Sequence, residues 1–236
     1  MIQINKMNIS LLTWNIWFDE YQKEHRAKIL LKEIAEHNPD VIALQEVTQE
    51  ALNVIKNIKD YHIIGSPLTF RYDTIILSKY PVLNWSRYQL PQSNMGRNLL
   101  LGELALPKVT INVGTFHLES IFRNKQDEQV KIHQLQYIEA ITPINTILMG
   151  DTNLKNTTSL ETNMIDIYEK IDKPKAYEYT YNGRTNKHIL SNLMSRLDRI
   201  YVKKDLKVET FYLIGEETQP SDHYGVFTTI KYYKNK

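Results

Sequence analysis

The sequence predicts an α/β fold in which two sheets pack face to face, with helices on their outer faces. Three observations carry this. Short, nearly all-apolar runs such as Val41-Ile42-Ala43-Leu44 and Thr146-Ile147-Leu148-Met149 stand in both halves, as expected of strands covered on both sides. Strand-like segments outnumber helical ones. No internal repeat, low-complexity tract or Gly/Ser linker divides the chain, so a single domain over 1–236 is expected.

Taken in order, Asn8 to Ile16 reads as the first strand, followed by a loop through Asp19-Glu20. Ala27, Leu30, Leu31, Ile34 and Ala35 recur at helical spacing, and Pro39 closes that helix. After the Val41–Leu44 strand, Thr48 is placed to cap a short helix with Glu50 in its first turn and Ala51, Leu52 and Ile55 inward. Tyr61 to His117 reads as successive strands broken near Pro67, Pro81, Pro91 and Pro107. A polar helix over roughly 125–141 turns Ile132, Leu135 and Ile138 inward. The strand ending at Gly150 follows, then a polar connection and three strands near 197–203, 208–214 and 224–231.

Composition narrows the function classes. With 42% apolar residues the chain can bury a sizeable core. It has no cysteine, which excludes disulfides, thiolate metal sites and a Cys nucleophile, and fits a reducing compartment. The segment Met1–Lys6 lacks a signal-peptide layout and no apolar run is long enough to span a bilayer, so a soluble, intracellular protein (cytoplasmic or nuclear) without membrane partners is expected. A formal charge of +2 provides no global field for a polyanion, so an anionic substrate must be met by local groups.

Polar residues stand at the C-terminal ends of apolar strands: Asn15, Gln45-Glu46, His117, and Asp151 with Asn153. Aligned strand ends would gather them on one rim, where layered α/β proteins bind ligands. Glu46 directly follows buried residues, which is costly unless it is solvated, paired or metal-bound. Taken alone it reads as well as a capping or ion-paired acid. Gly150-Asp151-Thr152-Asn153 is equally a simple turn or a site in which Asp151 activates water and Asn153 steadies a phosphoryl oxygen. Asp222 precedes His223, and a buried-looking Asp198 lies in Arg196-Leu197-Asp198-Arg199-Ile200. A carboxylate fixing an imidazole would make it a cation. His25, His37, His62, His133 and His188 have no such context and read as structural.

Six motifs occur in order: Thr13-Trp14-Asn15-Ile16, Leu44-Gln45-Glu46-Val47, His117-Leu118-Glu119-Ser120, Gly150-Asp151-Thr152-Asn153-Leu154, Leu197-Asp198-Arg199-Ile200 and Ser221-Asp222-His223. On these the chain, from about residue 8 to 231, resembles the endonuclease/exonuclease/phosphatase superfamily and within it the tyrosyl-DNA phosphodiesterase 2 branch. The resemblance implies a four-layer α/β/β/α sandwich and hydrolysis of 5′-phosphotyrosyl-DNA in DNA repair. It implies Mg²⁺, with Mn²⁺ as a substitute, held by Glu46, Asn15 and Asp222. Asp151 would activate water, Asn153 and His223 would stabilise the pentavalent phosphorus, His117 and Ser120 would contact phosphate, and Asp198 would support His223. Tyr72 in Arg71-Tyr72-Asp73-Thr74 and Arg97 in Gly96-Arg97-Asn98 match positions on the DNA path. The implied partner is DNA with a 5′-protein adduct on a single-stranded or frayed end, bound by a monomer, with protein-linked RNA open.

Departures from that branch fall on the base platform. Tyr181 stands where the branch usually has Trp, and Leu197 where it has Phe, so Tyr181 keeps a stacking face and Leu197 does not. The ubiquitin-binding module of the animal enzymes has no counterpart in the sequence. Rival readings are another phosphodiesterase on the same scaffold (an abasic-site nuclease, an RNA nuclease or a sphingomyelinase-like lipase) and a catalytically silent nucleic-acid-binding domain.

Overall fold

The computed structural model describes residues 6–107, 109–120 and 125–233, so most of the Met1–Lys6 segment lies outside the described residues. Among the described residues fourteen strands and three α-helices are formed. In the first half these are β1 (Lys6–Asn15), α1 (Lys23–His37), β2 (Val41–Thr48), α2 (Gln49–Ile55), β3 (His62–Ile64), β4 (Tyr72–Ser78), β5 (Val82–Gln89), β6 (Asn98–Leu106) and β7 (Val109–His117). The second half adds α3 (Lys125–Ile141), β8 (Thr146–Asp151), β9 (Ile165–Asp166), β10 (Tyr181–Asn182), β11 (Met194–Ser195), β12 (Asp198–Val202), β13 (Lys207–Ile214) and β14 (Gly225–Tyr233).

They build two six-stranded mixed sheets, ordered β13-β14-β1-β2-β4-β3 and β5-β6-β7-β8-β12-β9, and a small β10-β11 ribbon. Alternation along the central strands divides their side chains between layers. Val41 and Ala43 of β2 meet Ile147 and Met149 of β8 between the sheets. Ile42 and Leu44 face the other way, onto Leu30 and Ile34 of α1 and Leu52 and Ile55 of α2. Leu148 packs with Leu135 and Ile138 of α3 on the opposite outer face. Three apolar layers thus separate four layers of structure, the α/β/β/α sandwich expected.

Local chemistry explains the element ends. Thr48 Oγ1 accepts the Ala51 N–H at 3.3 Å, capping α2 as anticipated. α1 stops because Asn38 turns left-handed (φ 47°), one residue before Pro39. Its buried stripe is Arg26, Ala27, Leu30 and Ile34, whereas Ala35, expected inward, faces solvent. β9, β10, β11 and two 3₁₀ turns (Ile167–Lys170, Lys175–Tyr177) occupy what reads in sequence only as a polar connection. Segments of two to four residues carry no periodicity to read. Among the described residues no helix is long and apolar enough to cross a membrane.

Candidate active site

Strand pairing builds one side of the site. β7 and β8 run parallel with His117 beside Asp151, and β12 runs antiparallel to β8 with Asp198 beside Asp151. Three reactive side chains therefore stand in one row across three strands. Gly150 is required by the close approach of β7: a Cβ there would sit 2.0 Å from the Phe116 carbonyl oxygen. Beyond the strand, Asn153 is left-handed (φ 48°), and its N–H donates to Asp151 Oδ1 at 2.8 Å. Its side-chain Nδ2 donates to the Leu118 carbonyl at 3.2 Å. One amide hydrogen is left over.

The opposite side is built differently. β1 and β2 run parallel, with Asn15 beside Gln45. The β2–β4 ladder then slips between Leu44 and Val47, and Glu46 is left-handed (φ 59°), a bulge that aims its carboxylate at the second sheet. The Phe18 N–H donates to Glu46 Oε2 at 2.9 Å. Asn15 spans the sheets, its Nδ2 donating to Asp151 Oδ2 at 3.0 Å while its Oδ1 accepts the Trp17 N–H at 3.0 Å. Asn15 thus shows N–H rather than a free amide oxygen to the carboxylates, and only one lone pair of that oxygen is left for a cation.

The two imidazoles hold opposite protonation states. Arg97 Nη1 lies 2.9 Å from His117 Nδ1, and a guanidinium only donates, so the His117 proton sits on Nε2. That nitrogen is 3.4 Å from Asp151 Oδ2 and 3.8 Å from Glu46 Oε1. Burial and then the Arg97 charge push His117 well below the ordinary imidazole range, so it is neutral. His223 Nδ1 sits 2.7 Å from Asp198 Oδ2. Burial opposes its charge, but Asp198, Asp222 and Asp151 outweigh burial and hold His223 well above the ordinary value. It is a buried cation. Burial also disfavours the Asp151 charge, yet His117, His223, the Asn15 amide and the Asn153 N–H hold its pKa below the usual carboxylate range.

Asp151, Asp198 and His223 offer ligand atoms within 4.8 Å of one another, near enough to hold a metal ion. A protonated imidazole has no lone pair to give, however, so with His223 charged this trio works as an ion-paired relay. Glu46 and Asp222 fit a hard divalent cation better. Burial raises Glu46 to about 7, with Asp222 adding to the rise, and burial raises Asp222 as well. Among the described residues no Lys or Arg forms an ion pair with either one. Two largely buried carboxylates whose pKa values stay raised despite the neighbouring His223 charge are groups such a cation would satisfy.

Residues 12–223 match the profile of the Endonuclease/Exonuclease/phosphatase family. The chain belongs to that family. It is similar to tyrosyl-DNA phosphodiesterase 2 of Gallus gallus (31% identical, covering 93% of this chain and 66% of that protein) and of Homo sapiens (29%, 97% and 69%). The chain thus spans about two thirds of the length of these relatives. Among solved structures, Danio rerio TDP2 complexed with a single-strand DNA product superposes with a TM-score of 0.82 at 26% identity, covering 94% of this chain and 98% of that one. An endonuclease/exonuclease/phosphatase family protein from Bacteroides thetaiotaomicron shares the fold (TM-score 0.73, 17% identity, 97% and 99%).

In this endonuclease/exonuclease/phosphatase family member Tyr72 and Arg97 line one pocket with Glu46 and His117, whereas Tyr181 and Leu197 lie on the His223 side. Tyr181 sits edge-on to His223, ring centroids 5.1 Å apart, and Leu197 is buried beside it, its carbonyl accepting the Thr152 hydroxyl at 2.7 Å. Tyr72 stacks on Phe18 at 4.6 Å, and Arg97 lies 5.5 Å from the Tyr72 ring centre. Arg97, expected on the DNA path, is 5% exposed and committed to His117 and, through Nη2, to Ser120 Oγ at 3.3 Å. The supports that sequence reading missed are Trp17, Phe18 and Arg26. Their one legible signal was an arginine on the apolar stripe of α1, four residues before Leu30.

Proposed function

We propose that the chain acts as one catalytic domain, a Mg²⁺-dependent phosphodiesterase that hydrolyses 5′-phosphotyrosyl-DNA, releases the tyrosine or peptide and leaves a 5′-phosphate. The observation that carries this reading is Asp151 set between His117, whose Nε2 lies 3.4 Å away, and His223, which Asp198 holds at 2.7 Å. The similarity to tyrosyl-DNA phosphodiesterase 2 supplies the substrate class. In-line attack on a phosphodiester needs a water deprotonated on one side and the growing phosphoryl charge neutralised on the other. Asp151 accepts the hydrogen bond, and then the proton, of the attacking water. His223, whose Nδ1 is held by Asp198, keeps Nε2–H for a phosphoryl oxygen, as His117 does on its own Nε2. Asn153 adds its remaining amide hydrogen. Glu46 and Asp222 would hold the metal, which when bound supplies positive charge at the phosphoryl and leaving oxygens. A phenol has a pKa near ~10, so tyrosinate departs without a strong general acid, and the site has none to spare.

Metal-loaded protein is to be offered matched oligonucleotides carrying a 5′-phosphotyrosine, a 3′-phosphotyrosine or an internal abasic site, plus a 5′-tyrosyl RNA, with chelator controls. The expected result is chelator-sensitive cleavage of the 5′-tyrosyl DNA ahead of the other three. Preference for the 3′ adduct or the abasic site overturns the substrate assignment. Faster turnover of the RNA moves the assignment to protein-linked RNA ends.

A further inference from the structure

Arg26 projects from the first turns of α1 into the protein, 4% exposed. It has five N–H donors, and each meets a different backbone carbonyl. Nε bonds Tyr21 at 2.8 Å, Nη1 bonds Ile16 at 2.9 Å and Pro220 at 3.1 Å, and Nη2 bonds Trp17 at 3.0 Å and Asp19 at 2.6 Å. The guanidinium also lies 4.6 Å from the Trp17 ring centre. No side-chain carboxylate takes part in these bonds. Lysine, with three donors on a point charge, cannot reproduce such a set.

The segments gathered this way are the two that serve the site from the first sheet. Residues 16–21 include Phe18, whose N–H holds Glu46 Oε2, and Trp17, whose N–H fixes the Asn15 amide. Pro220 precedes Ser221, whose hydroxyl donates to the Asn15 carbonyl at 2.6 Å and accepts the His223 N–H at 3.1 Å. Without a central cation, five carbonyl dipoles would converge on one point and repel. Glu46 has no strand partner to hold it at its bulge, so its aim depends on the Phe18 N–H staying in place.

We infer that Arg26 is a positioning residue that ties the Ile16–Tyr21 loop to the Pro220–His223 segment and thereby holds Glu46 ready for a divalent cation. Its catalytic consequence rests on the phosphodiesterase reading, whereas its effects on loop order and metal affinity are measured without turnover. The test compares the parent with Arg26→Lys, which keeps the charge. Circular dichroism checks the fold, amide exchange by NMR reads Phe18, calorimetry reads Mg²⁺ affinity, and an aryl phosphodiester reads kcat and KM. The folded variant is expected to exchange the Phe18 amide about tenfold faster and to bind Mg²⁺ about 10- to 100-fold more weakly, the range for a group that orients a metal ligand. It should also lose turnover through kcat with KM nearly unchanged. A folded variant within about twofold of the parent in Phe18 exchange and Mg²⁺ affinity overturns the inference. Should Arg26→Lys not fold, the metal-free parent decides: an unprotected Phe18 amide sinks the inference and a protected one upholds it. A parent inactive on every aryl phosphodiester defeats the functional reading alone, and exchange and calorimetry still decide Arg26.

Discussion

The two sides of the site hold their carboxylates by different means. Asp151 is paired on both flanks, by His117 of β7 and Asp198 of β12, and Asp198 is paired on one flank, with its N–H bonded to the Thr180 hydroxyl on the other. Glu46 stands at a bulge where the ladder is broken, and its aim comes from one loop N–H and the Asn15 amide. A ladder is cooperative and costly to distort, whereas a loop contact opens at little cost. On the proposed mechanism, proton transfer falls to the side held by the ladder, and the cation to the side held by loop contacts that Arg26 ties together.

Asp151→Asn removes the base from the ladder side and should give the largest loss, at least roughly 10²-fold in turnover, with the fold intact. Added metal should not recover it, and near-normal single-turnover rates by the folded variant would remove Asp151 from its role. Glu46→Gln acts on the loop side. Its turnover should also fall by roughly 10²-fold, but calorimetry should show weaker Mg²⁺ binding and raised metal should restore part of the rate. If the two variants respond alike to metal, the proposed division of labour is wrong.

Arg97→Gln separates two roles for a residue on the boundary. Because its guanidinium holds the His117 tautomer, the variant should lose about 10- to 100-fold through kcat, the scale of a misplaced catalytic group, with an unaltered salt dependence. A defect in KM that fades as salt rises would instead put Arg97 on a DNA phosphate, the role the sequence resemblance implies.

The last effect concerns stability rather than rate. Lys131 of α3, 2% exposed, is lowered by burial to about 8. Between that value and its ordinary 10.5 the unfolded chain binds more protons at this site than the folded one, so its contribution to stability rises with pH across that window. The effect is at most about 3 kcal/mol, at 1.36 per pKa unit. Denaturant melts of parent and Lys131→Met from pH 7 to 11 should show the difference between them shrinking as pH rises, and parallel curves would refute it.

Much of the site was legible because the chemistry is written in short motifs at strand ends. Glu46 after an apolar run, Asp151 after Gly150, and the ordered spacing through Ser221-Asp222-His223 mark the candidate reacting groups and the fold that carries them. Continuous apolar runs likewise determined the two sheets and their outer helices, since a strand apolar at every position must be covered on both faces. Tertiary structure alone decided which groups touch. The 2.7 Å contact between Asp198 and His223 joins residues 25 apart, and the carboxylates of Asp198, Asp222 and Asp151, acting against burial, hold that imidazole well above its ordinary value. The tautomer of His117 depends on an arginine 20 residues away, a contact that no motif in the sequence records. Arg26 looked like one more charge on a helix. Only when the chain closes do five carbonyls from two distant segments surround it, because carbonyl positions depend on backbone path and are not encoded by residue identity.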